Sequence, residues 1–72
     1  MVEIMRISNI LIAEKLKTYR KEQRLTQVEF AKLIGVSPQA VSKWEREECY
    51  PDICFLPDLA DILGCSINDF LE

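Results

Sequence analysis

The sequence predicts a single all-α domain, and three observations carry that prediction. Apolar residues recur at helical spacing in successive segments. Each segment opens on a serine, threonine or aspartate able to cap free backbone N–H groups. The two glycines, Gly35 and Gly64, each stand just past the end of an apolar run, where a helix stops. A length of 72 residues fits one domain of modest stability, and 49% apolar with 29% charged residues is the balance of a packed chain rather than a disordered one.

The first helix is expected to begin at Ser8 or Asn9 and to run to about Gln23, with Ile12, Leu16, Tyr19 and Gln23 on its inner stripe. Before it, Val2 to Ile7 alternate weakly between apolar and charged and read as a short strand or an ordered arm, so residues 1–9 are set apart from a domain over 10–72. Thr26 with Glu29 three residues later forms a capping box for a second helix, whose apolar side is Phe30, Ala31, Leu33 and Ile34 and whose end is Gly35. Ser37 caps a third helix with Pro38 at its first position, where a missing N–H costs nothing. Two helices joined by a short turn containing Gly35 are the elements of a helix-turn-helix. Pro51 and Asp52 break the chain and cap a fourth helix that buries Phe55, Leu56, Leu59, Ala60, Ile62 and Leu63 and stops at Gly64; Pro57 marks either its first turn or an irregular entry. Ser66 with Asp69 caps a last short helix, from which Ile67, Phe70 and Leu71 close the core.

Composition narrows the function. The absence of histidine, of a metal motif and of a Gly-rich phosphate loop leaves nothing to activate a nucleophile, so no enzyme, cofactor, metal or small-molecule ligand is expected. Cys49, Cys54 and Cys65 make an odd number with no CxxC spacing; reduced thiols are expected, with Cys54 and Cys65 buried or half-buried. The longest apolar run, Ile10 to Ala13, is too short for a membrane span or a signal-peptide core, which points to the cytoplasm. The net charge of −3 hides an asymmetry: all nine basic residues and five acids fall in positions 1–46, whereas positions 47–72 hold seven acids and no base. A basic half can meet phosphates while an acidic half is repelled and orients the molecule.

The third helix has two unlike faces. Ala40, Val41 and Trp44 face inward, and Gln39, Ser42, Lys43 and Arg46 follow one another at i, i+3, i+4 and i+7 with no negative charge among them. Such a face offers hydrogen bonds to DNA: a glutamine can bond adenine at two points and a lysine can donate to guanine in the major groove.

The run LTQVEFAKLIGVSPQAVSKWE, Leu25 to Glu45, resembles the helix-turn-helix of the XRE family, the repressors that include Cro and the lambdoid phage repressors. The likeness continues through Tyr50-Pro51-Asp52 and Leu59 to Gly64, so it covers about residues 10–72. It implies a five-helix, lambda-repressor-like domain that binds double-stranded DNA as a homodimer and represses transcription. Gln39 and Lys43, with Ser42 beside them, are then the base-contacting residues, and Gln27, Ser37 and Arg46 the phosphate-contacting ones. Gln27 would hold its phosphate at the positive end of the second helix. Arg20 and Glu45 occupy the positions of an arginine and a glutamate that are paired in similar repressors. Two positions depart from the pattern: Pro38 stands where phage repressors read adenine with a glutamine, and Glu47 stands where relatives commonly end the third helix with glycine. The alternative is a protein-interaction module, such as an antitoxin or regulatory subunit, which an exposed apolar patch of Val2, Ile4, Ile7 and Leu11 would favour.

Overall fold

The computed structural model describes residues 7–71. Four α-helices are formed, α1 Asn9–Gln23, α2 Gln27–Ile34, α3 Pro38–Glu45 and α4 Leu56–Leu63, with 3₁₀ turns at Ile53–Phe55 and Ile67–Phe70. Side chains begin the first three. Ser8 Oγ accepts from Leu11 N–H at 3.2 Å, Thr26 and Glu29 make a reciprocal capping box, and Ser37 Oγ accepts from Ala40 N–H at 3.1 Å. Pro57 lies in the first turn of α4, where its missing N–H breaks no hydrogen bond.

All four helices end in the same way, on a residue with positive φ whose successor returns an N–H to a carbonyl five residues back. The closing bonds are Leu25 N to Arg20 O at 2.9 Å, Val36 N to Ala31 O at 3.0 Å, Glu48 N to Lys43 O at 2.9 Å and Cys65 N to Ala60 O at 2.9 Å. This is the Schellman arrangement, which satisfies carbonyls that a helix end leaves unpaired. At Gly35 (φ 81°) and Gly64 (φ 71°) the left-handed residue has no side chain to strain. A Cβ built on Gly35 would touch nothing within 4 Å, so the turn requires glycine for its backbone angle and not for space. At Arg24 (φ 56°) and Glu47 (φ 62°) the same geometry is imposed on an ordinary residue.

The core gathers Ile12, Leu16, Phe30, Val41, Leu59 and Phe70, all fully buried, with Trp44 beside them. Tyr19 meets Phe30 edge-on with ring centroids 6.0 Å apart, so α1 and α2 lock through their aromatics. The two ends of the described chain meet: Ser8 N–H donates to Phe70 O at 2.7 Å, and Ile7 pairs with Leu71 in a single antiparallel bridge.

Several expectations are corrected. The fifth helix is a 3₁₀ turn of four residues, of which Phe70 is buried and Ile67, at its solvent end, is exposed. Gln23 is exposed because it is the last residue of α1 and the chain turns away at Arg24. Leu33 is 56% exposed; it lies at the edge of the α2 stripe and meets only a shallow groove beside Ile62 and Asp58. Cys54 is exposed, because a turn with three residues per repeat points only Phe55 toward the core; Cys49 and Cys65 are half-buried free thiols. Asp52 makes no side-chain cap. Of the four residues whose exposure would favour the protein-interaction alternative, Ile7 and Leu11 are half-buried, and Val2 and Ile4 lie outside the described residues, as does all but Ile7 of the stretch Val2 to Ile7 read as a strand or arm.

Candidate nucleic-acid interface

The site is built on α3, whose inner face is fixed before its outer face can serve. Val41 and Trp44 are buried, and Trp44 packs against Phe55 with centroids 6.3 Å apart. On the other side Gln39 and Lys43 are exposed, Ser42 is half-buried between them, and Arg46 follows exposed at the helix end. The expected base-contacting residues therefore share one open face that carries no acid within the helix. Ser37, at its N-terminus, is exposed but spends its hydroxyl oxygen capping Ala40 N–H.

A polar brace holds this helix against α1 and α2. The carboxylate of Glu45, 7% exposed, receives two bonds from Arg20: Nε donates to Oε2, and the terminal nitrogen Nη2 donates to Oε1 at 2.7 Å. The remaining arm of that guanidinium, Nη1, donates to Leu25 O at 2.9 Å, in the turn before α2. Gln27 Nε2 donates to Glu45 Oε1 at 3.1 Å. The hydrogen bonds that Arg20 donates to Glu45 hold its guanidinium above its ordinary pKa, although burial opposes this. No buried side-chain nitrogen or oxygen among the described residues lacks a partner, so the brace is complete.

Arg20 and Glu45, expected as neighbours, are thus brought together, and Gln27 joins them. That third member carries no local signal, because sequence position places Gln27 only at the start of α2. Also unforeseen is the contact of Arg46 Nε with the Glu48 carboxylate, with both side chains more than half exposed. A spacing of two residues does not bring side chains together along a helix. Only the Schellman turn at Glu47 folds Glu48 back beside Arg46. A third unforeseen bond, from Asn9 Nδ2 to Glu47 O at 3.1 Å, ties the same turn to the start of α1.

The helix-turn-helix family profile matches residues 16–70 of the chain. This protein belongs to the XRE-type helix-turn-helix family. Repressor protein C2 of Salmonella phage P22 is 38% identical over 62 residues, which make up 86% of this chain and 29% of that protein. The regulator DicA of Escherichia coli is 36% identical over 62 residues, 86% of this chain and 46% of that protein. The chain therefore spans less than half the length of these two relatives. Among solved structures, the P22 c2 repressor in complex with a synthetic operator superposes with a TM-score of 0.75 at 34% identity, covering 85% of this chain and 92% of that one. Hydroxypropylphosphonic acid epoxidase from S. wedmorenis superposes with a TM-score of 0.72 at 28% identity, covering 92% of this chain but 35% of the enzyme. No described helix is long and apolar enough to cross a membrane.

Proposed function

We propose that this chain is the operator-binding domain of a cytoplasmic transcriptional repressor. The observation that carries the reading is the acid-free polar face of α3, Gln39, Ser42 and Lys43, standing clear of a core made by the opposite face of the same helix. The α3 helix lies in the major groove with Gln39 and Lys43 against base edges and Ser42 beside them. Gln27, Ser37 and Arg46 hold phosphates on either side. Gln27 retains one N–H after its bond to Glu45, and the free backbone N–H groups at the start of α2 add a partial positive charge for the same phosphate. One readout helix spans half a site, so two copies bind half-sites one helical turn apart.

The relatives matched over most of this chain are a repressor and a transcriptional regulator, and the likeness to the epoxidase covers 35% of that enzyme. Selection of bound sequences from a random duplex library tests the reading: a two-fold symmetric motif with half-sites about 10 base pairs apart is expected. Absence of measurable affinity for any duplex at low salt would overturn it in favour of a protein-interaction module.

A further inference from the structure

The ion pair of Arg46 with Glu48 lies at the exit of the readout helix, on the residue assigned above to a phosphate. Its geometry comes from the backbone. Glu48 N–H is bonded to Lys43 O at 2.9 Å, Glu47 N–H to Trp44 O at 3.2 Å, and Glu47 O accepts from Asn9. The left-handed Glu47 between them reverses the chain, so the Glu48 carboxylate is delivered beside the Arg46 guanidinium rather than reaching it by chance. Both side chains remain more than half exposed, which keeps the pair weak enough to open.

We propose that Glu48 is an intramolecular competitor for DNA at Arg46: its carboxylate occupies the guanidinium until a phosphate replaces it. This rests on the reading of α3 as the DNA-facing helix. The physical consequence is a competition between the carboxylate and a phosphate for one guanidinium. When a lysine or arginine that is free in solution meets a phosphate, the DNA releases a condensed cation. When Arg46 leaves Glu48 for a phosphate, the DNA still releases its cation, but the ion pair with Glu48 must open first, and that opening subtracts from the affinity. The contact therefore keeps its salt dependence, but its contribution to affinity is reduced on any duplex by the strength of the pair. Glu48 is in this sense a residue that sets affinity for DNA without touching it.

The test is a salt titration of duplex binding by the wild type, Glu48→Gln, Arg46→Met and the double variant, on the selected duplex and on an unrelated one. Glu48→Gln is expected to bind both about two- to fivefold more tightly per protomer, with the slope of log affinity against log salt changed by much less than the roughly 0.9 that a whole phosphate contact carries. In the Arg46→Met background the same substitution is expected to raise affinity much less. Equal effects of Glu48→Gln in both backgrounds would overturn the proposal, since the carboxylate would then act only as a general charge. Failure of the wild type to bind any duplex would instead remove the reading of α3. Melting temperatures within a few degrees for all four chains would show that these changes do not arise from unfolding.

Discussion

Asn9, the first residue of α1, donates its side-chain N–H to the carbonyl of Glu47, the left-handed residue that closes α3. The bond spans 38 positions of sequence and holds the end of α3 against α1. A left-handed conformation costs a residue with a Cβ about 1 kcal/mol that glycine does not incur. Glu47→Gly is therefore expected to raise stability by about 1 kcal/mol, or roughly 4–8 °C in melting temperature for a domain of this size. Glu47→Gln keeps the strain while removing the charge, and should show no such gain. Asn9→Ala should lower stability by about 0.5–1.5 kcal/mol, the net contribution of one hydrogen bond. Thermal and urea unfolding of the three variants would check these values, and an equal gain from glycine and glutamine would show that charge, not backbone strain, matters at this position.

The brace around Glu45 should behave as a unit. Arg20→Met leaves a carboxylate that is 7% exposed with Gln27 as its one remaining partner, which should cost about 3 kcal/mol, near the lower end for a broken buried pair because the arginine keeps some contact with water. Glu45→Gln should cost somewhat less, because an amide oxygen can still accept from Arg20. The double substitution should recover part of the summed loss, since it strands no charge. Denaturant titration of the four chains gives the coupling, and strict additivity would mean that the two residues do not support each other.

Features under the control of local rules are legible in the sequence. The caps at Ser8, Thr26 and Ser37, the glycine stops at Gly35 and Gly64 and the two faces of α3 each follow from residues no more than a few positions apart, and each is observed. Features that escape such reading depend on tertiary position or on a local rule overridden. Glu47 bears a left-handed backbone without being glycine, so the turn that joins Arg46 to Glu48 and Asn9 to Glu47 O carries no glycine signal. Leu33 and Ile67 carry the apolar signal of core residues, but α2 and the last turn are too short for every apolar side chain to find cover. The pairing of Arg20 with Glu45 follows from resemblance to similar repressors and from no local pattern, since 25 positions separate the two.

The capping box of α2 confers a pH dependence. The backbone N–H and hydroxyl of Thr26 hold the Glu29 carboxyl below its ordinary pKa of 4.5. A carboxylate whose folded-state pKa is depressed stabilises the fold above its unfolded value and loses that contribution as the pH falls through the folded one. The wild type should therefore be more stable than Glu29→Gln at neutral pH, with the two curves converging as the pH drops below 4.5. A stability difference that stays constant down to about pH 2–3, by urea titration at each pH, would show that Glu29 contributes through its shape rather than its charge.

The decisive prediction for the interface separates reading from holding. Gln39 and Lys43 stand on the open face of α3, whereas Lys17 and Lys21 are exposed on α1. Removing a bidentate pair of hydrogen bonds at one base edge should cost about 1–3 kcal/mol at that base pair and leave the others unaffected. Gln39→Ala is therefore expected to relax the selected motif at one position of each half-site while the melting temperature hardly moves, because the side chain is exposed. Lys43→Met should relax a neighbouring position and also make the salt slope slightly shallower, since the lysine brings a charge as well as a donor. Lys17→Met and Lys21→Met should at most weaken binding evenly across all sequences. Library selection on the four variants reads motif and affinity together. An unchanged motif for Gln39→Ala would remove that residue from the readout face, and an altered motif for Lys17→Met would mean that α1, rather than α3, lies closer to the bases.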